Sequence, residues 1–246
     1  MREFRGKRYW LVGASEGLGL ALARLLSAAG AELILSARSV DALEAAVASL
    51  PGRATALPLD VGSSESVEAA ASQLGELDGM VFLAGVYWPM RAQEWDAKGA
   101  EAMANVNFTG CMRAVGAALP RMVARGRGHV VITGSLSGFR GLPGAIGYAA
   151  SKAGTMVLAE SLYADLRKTD IAVQLANPGF IRTRLTAKND FTMPFIMEPE
   201  AAAAIMFRHM QSDRFKVSFP TVFSWLFRGG NFLPDWLYYR MFPPKA

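Results

Sequence analysis

The chain has 246 residues, 52% hydrophobic and 19% charged, enough apolar material for one sizeable core within the size range where α/β proteins remain a single domain. No apolar run reaches the roughly 18 to 20 residues that a membrane span requires, and residues 1–8 lead into a strand without a signal-peptide hydrophobic region, so a cytoplasmic location is expected. A single cysteine, Cys111, excludes an intrachain disulfide. With only His129 and His209 beside it, the composition argues against a zinc site and offers no histidine-based triad. The net charge of +5 comes from scattered residues. Its densest cluster, Arg121, Arg125 and Arg127, ends a helical stretch where cations complement the helix dipole, so no nucleic-acid partner is expected.

Along the chain, short apolar runs alternate with amphipathic stretches. The pattern predicts a strand over 9–12, a helix over 17–29, a strand over 32–37, a helix over 40–50 and a strand over 54–59. It continues with a helix over 64–74, a strand over 80–83, a helix over 102–124, a strand over 129–133, a helix over 148–168 and a strand over 171–176. Such alternation implies a doubly wound α/β fold, a parallel sheet with helices on both faces. Ligands of these sheets collect at the carboxyl ends of the strands. The motifs fall there: Gly13 to Gly19 after the first strand, Arg38 and Ser39 after the second, Asp60-Val61 after the third, Ala84-Gly85 after the fourth, Ser135 after the fifth and Pro178-Gly179 after the sixth.

The segment Gly13-Ala14-Ser15-Glu16-Gly17-Leu18-Gly19 follows a strand and opens an Ala/Leu-rich helix, whose first amides suit a pyrophosphate. This is the Rossmann-type arrangement for a dinucleotide. The second strand ends in Ala37 and Arg38, where a cofactor lacking a 2′-phosphate would call for a carboxylate on the ribose hydroxyl. The guanidinium suits a 2′-phosphate, and the reading is therefore NADP(H). A solvated charge at a helix entry is the alternative for Arg38.

Tyr148 and Lys152, in Tyr148-Ala149-Ala150-Ser151-Lys152, lie 13 and 17 positions after Ser135. At i and i+4 on a helix they share a face, and the ammonium is expected to lower the phenol's pKa from its usual value near 10. Such a pair serves a carbonyl that receives hydride from a dinucleotide and needs a proton.

Together these residues resemble the short-chain dehydrogenase/reductase family over about three quarters of the chain. The family's glycine motif, adenine-contacting acid (Asp60, with Val61), helix asparagine (Asn107, in Asn105-Val106-Asn107-Phe108), serine (Ser135) and Tyr-x3-Lys pair all have counterparts. So does the stretch Asn177-Pro178-Gly179-Phe180-Ile181-Arg182-Thr183, similar to the one that grips the nicotinamide carboxamide. The resemblance implies that Tyr148 donates the proton, Ser135 hydrogen-bonds the carbonyl oxygen, Lys152 binds the nicotinamide ribose and Asn107 holds a relay water. Gly13, Ser15, Glu16, Gly17, Leu18, Gly19, Arg38, Ser39, Asp60, Val61, Ala84, Gly85, Pro178, Gly179, Ile181 and Thr183 would join Tyr148 and Lys152 in holding the cofactor. It also implies a homo-oligomer, a dimer through the helices around 102–124 and 148–168 being expected.

Two positions depart from the family pattern. Val12 replaces the usual threonine, and Leu83 stands where an asparagine is expected, so backbone groups must tie the sheet to its loop there. The C-terminus departs further: residues 219–246 carry nine aromatics in place of a glycine-rich closing strand, namely Phe219, Phe223, Trp225, Phe227, Phe232, Trp236, Tyr238, Tyr239 and Phe242. Their spacing predicts two short amphipathic helices broken at Gly229-Gly230 and Pro234. Core or dimer packing is the simplest role. A lid over an apolar substrate pocket and a membrane contact with Arg228, Arg240 and Lys245 near headgroups are the alternatives. Residues 185–197 occupy the family's substrate loop, and Phe191, Met193, Phe195, Ile196 and Met197 favour a hydrophobic ketone, aldehyde or alcohol. A catalytically idle NADP-binding regulator is the competing reading, against which the intact Ser135, Tyr148, Lys152 and Asn107 argue.

Overall fold

The computed structural model describes residues 1–243. Its strands are β1 (Arg8–Val12), β2 (Glu32–Ser36), β3 (Ala54–Ala56), β4 (Gly79–Phe82), β5 (Arg127–Thr133), β6 (Asp170–Pro178) and β7 (Lys216–Phe219). They form one parallel sheet in the order β3-β2-β1-β4-β5-β6-β7. The order reverses between β1 and β4, which opens a crevice at the carboxyl ends of the central strands.

Period-two alternation along β1 builds the two halves of the core. Trp10 and Val12 enter a layer with Met80, Phe82, Val130 and Ile132, whereas Tyr9 and Leu11 enter the opposite layer with Val81 and Val131. Both faces are covered, which is why these strands read as continuous hydrophobic runs. The first layer is closed by α3 (Ser64–Ala71), α5 (Gly110–Arg125) and α6 (Ile146–Leu166). The second is closed by α1 (Gly17–Ala28), α2 (Val40–Ala48) and α7 (Pro199–Met210).

The predicted elements are present, with three differences. The strand expected over 54–59 stops at Ala56, because Pro58 has no amide for the ladder, although Leu57 and Leu59 still donate to Leu35 and Ala37 at 2.8 and 3.0 Å. The helix expected over 102–124 is instead α4 (Ala97–Met103), a π-helical turn (Ala104–Thr109) and α5. The third difference is the pair α7 and β7, which were not anticipated. Of the basic cluster, Arg121 donates to the Ala117 and Ala71 carbonyls, while Arg125 donates to the Leu77 carbonyl and pairs with Asp78. Arg127 lies on β5 rather than on the helix.

The aromatic tail forms two helices as expected, α8 (Thr221–Gly230) and α9 (Asp235–Met241). Core packing accounts for Phe219, Phe223, Phe227 and Tyr238, all buried, but not for Trp225, Phe232, Trp236 or Tyr239, all exposed. Lys245 lies outside the described residues. Among the described residues, no helix is long and apolar enough to cross a membrane.

Candidate active site

A cleft of about 460 Å³ runs along the carboxyl ends of the strands. It is lined by Gly13, Ser15, Glu16, Gly17, Leu18, Gly19, Arg38, Asp60, Val61, Ala84, Gly85, Ser135, Tyr148, Lys152, Pro178, Gly179, Ile181 and Thr183. The fold thus brings together nearly all of the residues singled out from the sequence. Ser39 and Asn107 are absent from the lining. The Ser39 hydroxyl caps α2 by accepting from the Ala42 amide at 3.4 Å. Asn107 lies fully buried behind the cleft.

The first turn has the shape that a pyrophosphate requires. Gly13 adopts φ +90°, and a Cβ there would overlap the Ala84 amide; one on Gly19 would overlap the Gly13 carbonyl oxygen. Side chains are therefore barred where the backbone must stay close. The N-terminus of α1 has no side-chain cap and no acid in its first turn, so its amide donors and positive dipole end face the cleft. At the far end Arg38 is exposed and has no ion-pair partner among the described residues. Thr133 also lines the cleft, and its buried hydroxyl lacks a hydrogen-bond partner. The chain's own groups fit a dinucleotide.

Asn107 shows how this chain manages without the asparagine usual at Leu83. Its Oδ1 accepts from the Val86 amide at 2.7 Å, and its Nδ2 donates to the Val86 carbonyl and to Ser151 Oγ, each at 3.0 Å. The Leu83 amide donates to the Val12 carbonyl at 2.8 Å. The end of β4 is thereby tied down by backbone groups and by one amide projecting from the π-helical turn, a geometry that often marks functional sites. Both Nδ2 protons of Asn107 are used, so this side chain has no donor left for a relay water, and its backbone carbonyl already accepts from Thr155 Oγ1 at 3.0 Å.

Helix α6 carries Tyr148 and Lys152 on one face toward Ser135. Ser135 Oγ is 2.8 Å from Ser137 Oγ and accepts from the Ser137 amide at 3.2 Å. Lys152 Nζ donates to the Thr133 carbonyl at 2.9 Å and lies 5.9 Å from the Tyr148 ring centroid. Burial lowers the Lys152 pKa to about 8.

The expected depression of the Tyr148 pKa is not found. Burial pushes it up to about 12, the Ser135 hydrogen bond opposing this and the Tyr87 phenol adding to it. Desolvation of the phenolate is the largest cause. At neutral pH Tyr148 is a neutral phenol that holds a proton to give.

A second cavity of about 160 Å³ adjoins Ser135 and Tyr148, with walls of Leu136, Leu142, Phe180, Leu185, Phe223 and Phe227. The inner face of α8, through Phe223 and Phe227, is a wall of this pocket. Four contributors went unnoticed in the sequence. Tyr87 packs edge-on against Tyr148, with ring centroids 5.1 Å apart. Arg140 lies over the Tyr238 ring at 4.1 Å, donates to the Gly230 and Leu233 carbonyls at 2.6 and 2.8 Å, and pairs with Asp235, fastening α9 to the segment above the pocket. Arg184 pairs with Glu16 across the mouth of the cleft, its Nε 2.7 Å from Glu16 Oε1. Asn189 lines the apolar cavity with a buried Oδ1 that has no partner. None belongs to a local motif.

Comparison with known proteins agrees with this geometry. Residues 7–193 match the family described as short chain dehydrogenase, and the chain belongs to the short-chain dehydrogenase/reductase family of oxidoreductases. It is 35% identical over 249 residues to an uncharacterized oxidoreductase of Myxococcus xanthus, covering 97% of each chain. A solved structure described as a short chain dehydrogenase/reductase family protein superimposes with a TM-score of 0.81 at 29% identity, covering 88% of this chain and 97% of the other. An alcohol dehydrogenase from the archaeon Thermococcus sibiricus, solved with 5-hydroxy-NADP, gives a TM-score of 0.78 at 25% identity, covering 87% and 96%.

Proposed function

We propose that the protein is an NADP(H)-dependent carbonyl reductase, and alcohol dehydrogenase in reverse, for a hydrophobic ketone or aldehyde. The observation that carries this reading is the meeting of Ser135, Tyr148 and Lys152 where the dinucleotide-shaped cleft opens into an apolar pocket. A bound nicotinamide supplies the hydride. Ser135 Oγ, held by Ser137, donates to the substrate oxygen, and the Tyr148 phenol delivers the proton as charge builds there. Lys152, with its pKa brought to about 8 by burial, is placed to hold a ribose hydroxyl and to steady the phenolate that remains. Arg38 would meet the 2′-phosphate and the α1 amides the pyrophosphate. An idle NADP-binding regulator has no chemical need for the Ser135, Tyr148 and Lys152 grouping, which favours the enzyme.

Asn189 lines the apolar pocket and its Oδ1 is buried without a partner, so a small turn of its amide would offer an acceptor to a substrate that carries a hydrogen-bond donor. Met112, Val123 and Val157 are exposed on α5 and α6, in keeping with a homodimer through those helices. A panel of apolar ketones, aldehydes and alcohols, followed by nicotinamide absorbance with NADPH and NADH in parallel, tests the assignment. Absence of turnover across the panel, or a preference for NADH, would overturn it. Light scattering tests the dimer.

A further inference from the structure

The outward side of α8 and α9 is apolar where a monomer's surface should be polar. Among the described residues, sixteen large hydrophobic side chains are exposed, and seven of these fall between 222 and 241. Phe232 is 90% exposed, Trp236 69% and Trp225 62%. Along α8 the exposed apolar positions Val222, Trp225 and Leu226 fall at i, i+3 and i+4, one stripe of the helix, while Phe223 and Phe227 face inward to the substrate pocket. Phe195 lies beside α8: it is 58% exposed, packs on Phe223 at 5.5 Å between centroids, and adopts φ +56°, a conformation costly for an aromatic residue. An aggregate this concentrated marks a contact with something else.

Charge identifies the occupant. Between 221 and 241 the chain carries Arg228, Arg240 and one acid, Asp235, which Arg140 neutralises. Arg228 lies over the Trp225 ring at 5.1 Å, and Arg240 has no ion-pair partner among the described residues. A two-fold contact with another copy of this face would crowd four guanidinium groups without a free acid to meet them. An anionic lipid surface neutralises them while accepting the apolar stripe, and tryptophan and tyrosine at its rim are the side chains such interfaces favour. We propose that α8, α9 and Phe195 form a docking surface for an anionic phospholipid membrane, on which the protein lies peripherally. Because the inner face of α8 walls the substrate pocket, docking would set that pocket beside the phase in which an apolar carbonyl dissolves.

The test is co-sedimentation of the full chain, without cofactor or substrate, with vesicles of phosphatidylcholine containing phosphatidylglycerol and with vesicles of phosphatidylcholine alone. The protein should sediment with the anionic vesicles, less so as salt is raised. The double variants Trp225→Asp/Trp236→Asp and Arg228→Glu/Arg240→Glu should each lower the partition coefficient at least about tenfold. All four side chains are solvent-facing, and unchanged thermal melting confirms that both variants are folded. No sedimentation of the folded wild type, or sedimentation indifferent to both variants, overturns the proposal. So does a lipid-free oligomer that dissociates on Trp225→Asp/Trp236→Asp, which would assign the face to a second copy. Neither result touches the assignment of the cleft, which rests on turnover.

Discussion

The two halves of the cleft are built on different terms. The cofactor half is made of backbone: the Gly13 turn pressed against Ala84, the open amides of α1, and strand ends locked together by Asn107 and the Leu83 amide. The substrate half is made of side chains from distant segments, with Phe180 on the β6 side, Asn189 on the loop, Phe223 and Phe227 on α8, and Arg140 clamping α9 in place. A backbone site recognises what every dinucleotide shares and tolerates little change. A side-chain site can be recast by a few substitutions, and under the proposed function selectivity among carbonyl substrates would reside there.

Tyr148 stands at the junction, so its loss should affect neither half's binding while stopping the chemistry. Tyr148→Phe is expected to lower kcat by at least about a hundredfold, with the dissociation constant for NADPH nearly unchanged. Steady-state kinetics beside fluorescence titration of the cofactor checks both quantities, and near-normal turnover would remove Tyr148 as proton donor. The elevated pKa adds a pH signature. The neutral phenol needed for carbonyl reduction persists through neutral pH, whereas alcohol oxidation needs the phenolate, whose fraction below a pKa of about 12 rises with pH. Oxidation should therefore climb between pH 6 and 8 while reduction stays nearly flat; equal profiles in the two directions would contradict it.

Within the cofactor half, the proposed preference for NADPH over NADH rests on Arg38. A charge-assisted hydrogen bond contributes roughly 1.5 to 3 kcal/mol, so Arg38→Ala should weaken NADPH about tenfold or more and leave NADH almost untouched. No loss for either cofactor would show that Arg38 is a solvated surface charge, and equal losses would show that it does not read the 2′-phosphate. In the substrate half the corresponding test is Arg140→Ala, which frees α9 and unsettles Phe227 through its neighbours. We expect kcat/KM for bulky carbonyls to fall about tenfold or less, with small carbonyls and NADPH affinity little changed. A uniform loss across substrate sizes would separate the clamp from the pocket.

The contrast between backbone and side-chain sites also explains what the sequence disclosed. Gly13, Tyr148 and Lys152 were legible because the chemistry they serve fixes their local spacing. The alternation of strands and helices was legible because parallel strands buried on both faces are unmistakably apolar. The direction of the Tyr148 pKa was misjudged because burial is a property of the assembled fold, and the i+4 spacing reveals only the cation. Helix α7 carries readable start signals, Pro199 at its first turn followed by Glu200, whereas β7 is four half-polar residues with no signal of its own. The contact of Arg140 with Asp235 spans 95 positions and leaves no trace in local pattern.

Asn189 gives the smallest and most discriminating test of the substrate half. Its Nδ2 is directed at Met193 Sδ at 3.2 Å, and its Oδ1 is buried in the cavity wall without a donor. An unpaired acceptor in apolar surroundings costs free energy in the empty pocket, and a ligand that brings a hydroxyl or N–H to it recovers that cost. Asn189→Leu should therefore stabilise the protein slightly, raise kcat/KM for wholly apolar carbonyls, and lower it about two- to tenfold for carbonyls with a remote donor, in line with a net hydrogen bond of roughly 0.5 to 1.5 kcal/mol. The ratio of the two specificity constants is the quantity to measure, since any general disturbance of the loop moves both in the same direction and leaves it unchanged. An unchanged ratio would mean that Asn189 serves the loop alone, and that the pocket selects by shape and apolar area without a polar anchor at its far end.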